Sequence, residues 1–202
     1  VEGFPEADLD LARAYGQADG YLTDRAMSFR EFFAPWELAL RCDAYESYGQ
    51  LTFQARVAAS AWGRLAPEDL VEDGEAARFD VTRTSLEDAP QAAIVRFNDS
   101  DADWQVGAAR VSLGEGPEEG LAEAAVGLGL DLGRADQIAE AWLRDVTEGR
   151  EAAEFAAPPS AVALEPGCVV ELDLPGGLRP FMVEGVTAGL ARRIAARSFD
   201  QA

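Results

Sequence analysis

Histidine and lysine are both missing from this sequence of 202 residues, and all 17 basic residues are arginine. Without histidine, Ser-His-Asp and Cys-His catalysis and most transition-metal sites are excluded. Without lysine, Schiff-base chemistry and the lysine-containing phosphate-binding loop are excluded as well. The chemistry that remains open is carboxylate catalysis and metal binding through oxygen ligands.

Cysteine is scarce, and long apolar runs are missing. Cys42 and Cys168 are far apart and form no C-x-x-C pair, so neither a disulfide framework nor a zinc site is predicted. The most apolar window, residues 121–132, is shorter than the ~20 residues of a membrane helix. No targeting signal is recognisable at either end. A chain that begins at Val1 rather than Met is expected to be a segment of a longer polypeptide.

Acidic residues dominate the charge. There are 37 of them against 17 basic residues, which gives a formal net charge of −20. An acidic surface repels phosphate, so binding to the nucleic-acid backbone is not expected, and acidic lipid surfaces are poor partners for the same reason. A solvated acidic surface that keeps the protein soluble is the simplest interpretation.

The strongest local signal is a capping box formed by Ser28 and Glu31, which predicts that a helix starts there. Apolar residues at helical spacing continue the helix to Leu40, and Pro35 is expected to bend or shorten it. A hairpin follows, in which Ser47-Tyr48-Gly49 forms the turn and residues 51–57 alternate as a half-buried strand.

The rest of the chain is predicted to be mostly strands. Residues 134–148 carry an amphipathic stripe and predict a helix ending before Gly149. Residues 9–15 suggest one short helix, and the Gly-rich residues 114–133 suggest a loop with a short helix over 121–126. The predicted strands are 79–84, 92–97, 104–113, 150–156, 168–174, 181–187 and 190–199.

Together these elements predict an α+β fold with two consecutive parts. Residues 1–75 form a helix-plus-hairpin module. Residues 76–202 form a β-rich module, a small barrel or curled sheet crossed by the helix of residues 134–148.

One acidic turn partly matches a calcium-binding loop. Asp99, Asp101 and Asp103 occupy the first three ligand positions, but Trp104 stands where glycine is required and Arg110 where the bidentate glutamate is required. A solvated turn with local Asx-type bonds is the favoured alternative.

Two glycine-rich segments, 114–120 and 127–133, are one residue off the dinucleotide-binding fingerprint. Glu115, Glu118 and Glu119 would repel a pyrophosphate, so flexible loops are favoured. The four tryptophans offer surfaces for sugars, although core packing is favoured for Trp36 and Trp142. No pair of carboxylates stands out, and no catalytic, cofactor-binding or metal-binding residue is assigned; the chain is predicted not to be an enzyme.

Several segments, in order and spacing, resemble the large tail-tip or baseplate hub protein of gene transfer agents and related long-tailed phages. The sequence departs from the family in three places. The family usually has Asp where Cys168 stands, only Pro35 remains of a Glu-Pro-Leu element, and Phe97 and Trp104 stand where the family has Tyr. The matching segments are 20–28, 43–53, 97–99, 103–105, 139–143, 164–170 and 192–194.

The resemblance implies a structural part of a phage-like virion, assembled in the bacterial cytoplasm. It implies a ring of copies of the chain, three in number, that contacts other tail and baseplate proteins and joins tail tube to tail tip around the DNA exit channel. DNA would pass without specific binding, and no cofactor is implied. The alternative is a carbohydrate-acting or carbohydrate-binding domain that engages the cell envelope. If the chain lines the channel, the acidic loops around Asp101 and Glu118 are expected to face the lumen.

Overall fold

The computed structural model describes residues 5–56, 61–72, 79–85, 89–114, 120–187, 189 and 191–199, and over these residues the fold is α+β with a curled half-barrel sheet, as predicted. The helices are α1 (Phe29–Ala39) and α2 (Leu132–Glu148). The strands are β1 (Leu9–Arg13), β2 (Gly20–Tyr21), β3 (Cys42–Ser47), β4 (Gln50–Ala55), β5 (Arg64–Leu65), β6 (Phe79–Arg83), β7 (Ala92–Asp99), β8 (Val106–Ser112), β9 (Leu121–Leu130), β10 (Glu151–Ala157), β11 (Val169–Leu174), β12 (Gly177–Thr187) and β13 (Arg192–Ser198). In the part of the chain that the structure describes, neither helix has the length and apolar character needed to cross a membrane.

Contacts within the chain divide it into two compact units, each discontinuous in sequence. The first comprises Val1–Arg56 and Leu86–Thr147, and the second comprises Val57–Ser85 and Glu148–Ala202. The sequence-based modules 1–75 and 76–202 are instead consecutive, and that division into hub modules stays a prediction.

Helix α1 begins at the predicted capping box. The Ser28 hydroxyl accepts the Glu31 N–H at 3.3 Å, and the Glu31 carboxylate accepts the Ser28 N–H at 2.8 Å. The bonds that the Ser28 N–H and the Ser28 hydroxyl donate to the Glu31 carboxylate lower the pKa of Glu31 because they favour its charged form. The helix continues without interruption through Pro35 and ends at Ala39, where Arg41 adopts a left-handed φ of 46° and turns the chain into β3.

The first unit contains a three-stranded sheet in the order β1-β4-β3. The predicted hairpin of β3 and β4 is confirmed, with Ala44 opposite Phe53. The predicted short helix over residues 9–15 is wrong, because β1 pairs in parallel with β4 and places Leu9 opposite Leu51. A weak local helix pattern is overridden here by the backbone hydrogen bonds that the edge of β4 supplies.

A four-stranded sheet in the order β2-β9-β7-β8 completes the strands of this unit. The predicted loop over 114–133, with a short helix over 121–126, is wrong, because β9 is a strand of ten residues parallel to β7. Its alanines and glycines give no clear alternation of polar and apolar residues, so the pattern is not recognisable locally. Residues 115–119 lie outside the described residues.

Helix α2 packs on the four-stranded sheet, and the predicted helix of residues 134–148 is confirmed. Asp131 caps the helix, since its carboxylate accepts the Arg134 N–H at 2.9 Å. The buried stripe of α2 is Ala135, Ala139 and Leu143. The core that α2 covers contains Val95, Phe97, Ala109, Val126, Leu128 and Leu130, with Trp36 and Trp142 packed at its margin as predicted.

The second unit is built on a six-stranded sheet in the order β5-β11-β12-β13-β10-β6. The four strands predicted over 150–199 are confirmed as β10 to β13, and β11 and β12 form a hairpin whose turn contains Gly176 at a φ of +108°. The fully buried Phe181 and Leu164 lie at the centre of the core of this unit.

Candidate functional site

The surface around the four-stranded sheet of the first unit holds most of the residues that the sequence singles out. The acidic turn connects β7 to β8. The Asp99 carboxylate accepts the Asp101 N–H at 2.9 Å, which is the local Asx-type bond expected of a solvated turn. Among the described residues, no group of three or more Asp, Glu, Cys or His side chains is arranged to hold a metal ion.

This turn ends in two consecutive left-handed residues, Asp103 at a φ of 50° and Trp104 at 61°. The backbone N–H of Trp104 donates to the Asp99 carbonyl at 2.9 Å and holds the residue in place. Left-handed conformations of residues other than glycine cost free energy, so the surrounding contacts must compensate for them. The result is a tryptophan that is 55% exposed at a fixed position on the surface.

Glycines beneath Trp104 explain how its ring is seated. A Cβ atom at Gly129 would lie 2.4 Å from the Trp104 ring, and one at Gly20 would lie 3.5 Å from it. Any side chain at Gly129 would therefore displace the ring. The flexible-loop interpretation of residues 127–133 is wrong, because Gly127 and Gly129 lie within β9 and Gly133 lies in α2.

Helix α1 is only partly covered by the rest of this surface. Although seven of its eleven residues are Phe, Trp, Leu or Ala, none of its residues is buried. Phe29 is 49% exposed and Phe32 is 37% exposed. The Trp36 indole N–H is buried, and no described atom accepts a hydrogen bond from it. A short apolar helix with this much exposed surface is typical of a site where a partner protein binds.

A groove of about 730 Å³ lies between α1, the 21–27 segment and the four-stranded sheet. Its α1 wall includes Ala34, Pro35 and Leu38, and its β9 wall is formed by residues 124–127. The charged side chains at its rim are both acidic and basic, and include Glu31 and Arg96. The groove is therefore lined mainly by small and apolar groups, and it has no concentrated charge.

Four charged side chains form a network that ties the α1–β3 connection to α2. The Asp145 carboxylate accepts bonds from Arg41 Nε at 3.2 Å and Arg41 Nη2 at 2.5 Å. The Arg56 guanidinium donates to both oxygens of Asp43 at 2.6–3.0 Å and lies 4.0 Å from Asp145. Charged side chains that are mutually paired in this way are arranged for structure rather than for binding an ion.

Two ionisable groups beside this network have shifted pKa values. Burial raises the pKa of Glu37, and the nearby Asp43 carboxylate raises it further. Burial also raises the pKa of the Cys42 thiol to about 11, so this thiol is protonated at neutral pH and is not a nucleophile. Both cysteines, Cys42 and Cys168, are free.

We expect Glu37→Gln to raise the urea midpoint of the chain at neutral pH. Because the folded pKa of Glu37 lies above its unfolded value, its charged form destabilises the fold at pH values above the folded pKa. This penalty disappears as the pH falls through the folded pKa. The gain should therefore shrink as the pH is lowered, as measured by urea denaturation between pH 7 and pH 4. Glu46→Gln, at an exposed position of β3, is the charge-matched control, and an equal gain there would contradict the explanation.

Residues 28–186 match the sequence pattern of a protein family described as "Putative phage tail protein". The match covers more than half of the chain. The chain belongs to this family of phage tail proteins. A comparison with curated protein sequences gives no significant match.

Solved structures place this tail protein among components of phage-like particles. A chain of the native gene transfer agent virion superposes with a TM-score of 0.86 and 26% identity, over 97% of this tail protein and 44% of that chain. The 43 kDa tail protein of prophage MuSo2 from Shewanella oneidensis gives a TM-score of 0.55 at 14% identity, with coverages of 88% and 56%. A tail protein of Neisseria meningitidis MC58 gives 0.51 at 12%, with coverages of 80% and 52%, and these last two likenesses show the fold alone.

The tail protein thus spans about half the length of the solved chains that it matches. The predicted resemblance to tail proteins of phages and gene transfer agents is confirmed. Sequence reasoning missed the exposed face of α1 and the seating of Trp104, since both depend on which strands lie side by side.

Proposed function

We propose that this tail protein is a structural, non-enzymatic segment of the baseplate hub of a phage-like particle, in which it joins the tail tube to the tail tip around the DNA exit channel. The observation that carries the proposal is the superposition of 97% of the chain on a chain of the gene transfer agent virion, with a TM-score of 0.86. The half-exposed apolar residues of α1 support it, because a hub subunit must bury such surfaces against its neighbours.

The partners of the proposed hub segment are other copies of itself, arranged in a ring of three, and other proteins of the tail and baseplate. Its proposed location is the virion, after assembly in the bacterial cytoplasm. The formal charge of −20 supports contact with moving DNA, because an acidic wall releases no counterions from the duplex and so does not hold it. Electrostatic repulsion acts over about 10 Å at moderate salt and would keep the duplex centred.

The experiment is to locate the chain in the assembled particle. A short epitope inserted at the turn between β3 and β4, where Tyr48 is 95% exposed, leaves both strands intact. Electron microscopy of antibody-labelled particles should show label at the tip end of the tail and at no other position. Label along the tail tube, at the head or on no part of purified particles would overturn the hub assignment.

The same particles test the acidic channel. In a reconstruction of the tail tip, the turn that contains Asp101 and Asp103 should face the lumen. If it faces outward and arginine side chains line the lumen instead, the charge serves only as a solvated surface.

A further inference from the structure

The four-stranded sheet of the first unit has two free edges. Among the described residues, no strand pairs with the side of β8 that faces away from β7. On the opposite edge, β2 pairs with only two residues of β9, Leu128 and Gly129. On the side that faces away from β7, the stretch of β9 from residue 121 to residue 126 therefore has no described strand beside it. Each free edge exposes unpaired backbone N–H and C=O groups, which favour pairing with another strand.

The hydrogen bonds of β8 show which of its residues present their backbone outward. The Leu113 N–H donates to the Gln91 carbonyl at 3.0 Å, and the Asp99 N–H donates to the Gln105 carbonyl at 2.8 Å. These bonds assign the odd-numbered residues of β8 to the pairing with β7, because bonding directions alternate along a strand. The even-numbered residues, 106, 108, 110 and 112, therefore direct their N–H and C=O groups to the free edge, and their side chains are the exposed ones.

The same reasoning applies to β9. Gly127 and Gly129 direct their carbonyls away from β7, since these accept the Leu22 N–H at 2.7 Å and the Asp19 N–H at 2.9 Å. The register with β7 shifts between Ala125 and Gly129. Before that shift, the even-numbered residues of β7 are the parallel partners of residues 121, 123 and 125 and bond to the β9 residues on either side of them, so 121, 123 and 125 direct their backbone to the free edge, and their side chains are exposed. Each edge thus presents one set of backbone groups and one row of exposed side chains on the same face of the sheet.

We propose that β8 of one copy of the chain pairs with β9 of the next copy, so that the four-stranded sheet continues from subunit to subunit. This inference rests on the proposed ring of copies and names the surface that closes it. Strand β9 is parallel to β7, and β8 is antiparallel to β7. If each copy is related to the next by a rotation that keeps the strand directions, β8 of one copy meets β9 of the next copy in antiparallel orientation. Among the registers that join outward backbone groups, the one that pairs opposite charges places Arg110 opposite Glu123 and Ala108 opposite Ala125.

The chemistry of the two edges favours a second copy as the occupant. In that register an arginine faces a glutamate and two small side chains face each other, and both arrangements stabilise a strand pair. Glu123 already pairs with Arg96 across its own sheet, so the interface places one carboxylate between two guanidinium groups.

Strand β8 has a regular edge, whereas the register of β9 with β7 shifts beyond Ala125, past the stretch that pairs in the proposed contact. Strand β8 contains no proline, and its register with β7 shows no bulge. The β9 edge borders the groove of about 730 Å³, and the residues of an incoming β8 include the small Gly107, Ala108 and Ala109. Because the two edges differ, the contact is head-to-tail, which closes into a ring when the rotation between copies permits.

A cysteine pair tests the register in purified particles. Paired residues that exchange backbone hydrogen bonds have Cα atoms about 5.5 Å apart, which lies within the disulfide range of about 4.4–6.8 Å. The double variant Ala108→Cys/Ala125→Cys should give a ladder of covalent multimers under mild oxidation, ending at the ring size. Each single variant should stay monomeric on a denaturing gel, because a head-to-tail contact needs both cysteines. The unmodified chain, with Cys42 buried and Cys168 partly buried, is the background control.

Proline variants give a second readout. Ala125→Pro and Ala108→Pro each remove an N–H that points to the free edge, and neither removes a hydrogen bond to β7. Each variant should therefore prevent ring formation. The thermal transition of the chain should stay close to that of the unmodified protein. If particles carry the chain at the tail tip but the double cysteine variant gives no ladder, the strand pairing is wrong and the hub assignment stands. Dimers from Ala108→Cys alone would show a symmetric β8–β8 contact and would also overturn the pairing. If the chain is missing from tail tips, the proposed function itself fails.

Discussion

We expect Phe97→Ala to lower the free energy of unfolding of the first unit by about 3–5 kcal/mol, the usual loss for a buried phenylalanine. Phe97 is 2% exposed in the core between the four-stranded sheet and α2. Its ring also fills the space above Gly107 on the neighbouring strand, where a Cβ atom would lie 2.8 Å from the ring. Removing the ring leaves a cavity that two strands border, and a rigid sheet cannot close such a cavity easily.

Urea denaturation followed by tryptophan fluorescence measures this loss, because Trp36 and Trp142 pack at the margin of the same core. Phe97→Leu is the control and should lose less than about 1.5 kcal/mol, since most of the apolar volume is kept. A loss below about 1 kcal/mol for the alanine variant would show that the ring is not needed to fill this core.

Asp145→Ala should have the next largest effect, a loss of about 2–3 kcal/mol. The Asp145 side chain is 14% exposed and neutralises Arg41, and the Arg56 guanidinium lies 4.0 Å from it. Removing it leaves two guanidinium groups close together and partly buried without their shared anion. Removing one partner of a fully buried pair costs about 3–5 kcal/mol, and the partial exposure of Arg41, at 35%, reduces the expected value.

The control for Asp145→Ala is Glu140→Ala, one turn earlier on the same helix. Glu140 pairs with Arg144 at 3.0 Å, but its side chain is 60% exposed. Exposed helical pairs of this spacing contribute only about 0.3–0.5 kcal/mol. A double-mutant cycle with Arg41→Ala isolates the pairwise energy by urea denaturation. Equal losses for Asp145→Ala and Glu140→Ala would show that the network contributes no more than a surface pair.

Local physics made several elements predictable from the sequence. The capping box of Ser28 and Glu31 determines where α1 begins because both of its hydrogen bonds join residues three apart. The stripe of Ala135, Ala139 and Leu143 predicts α2 because a helix brings residues four apart onto one face. The hairpin of β3 and β4 follows from alternation and a tight turn. The resemblance to the family rests on short segments of this kind, in a fixed order along the chain. It therefore does not depend on how the strands pair.

The sequence by itself therefore determined the helices, most strands, the α+β class and the family of tail proteins. Tertiary structure alone decided that the Gly-rich segment 121–130 is a strand, because its small residues acquire their role only beside β7 and beneath Trp104. It also joined Arg41 to Asp145, 104 residues apart, and among the described residues it left the outer edge of β8 and part of the outer edge of β9 without a pairing strand. The physical reason is the same in each case. Helix caps and turns are made by neighbours in sequence, whereas strand pairing, ion networks and free edges depend on segments whose separation along the chain carries no periodic signal.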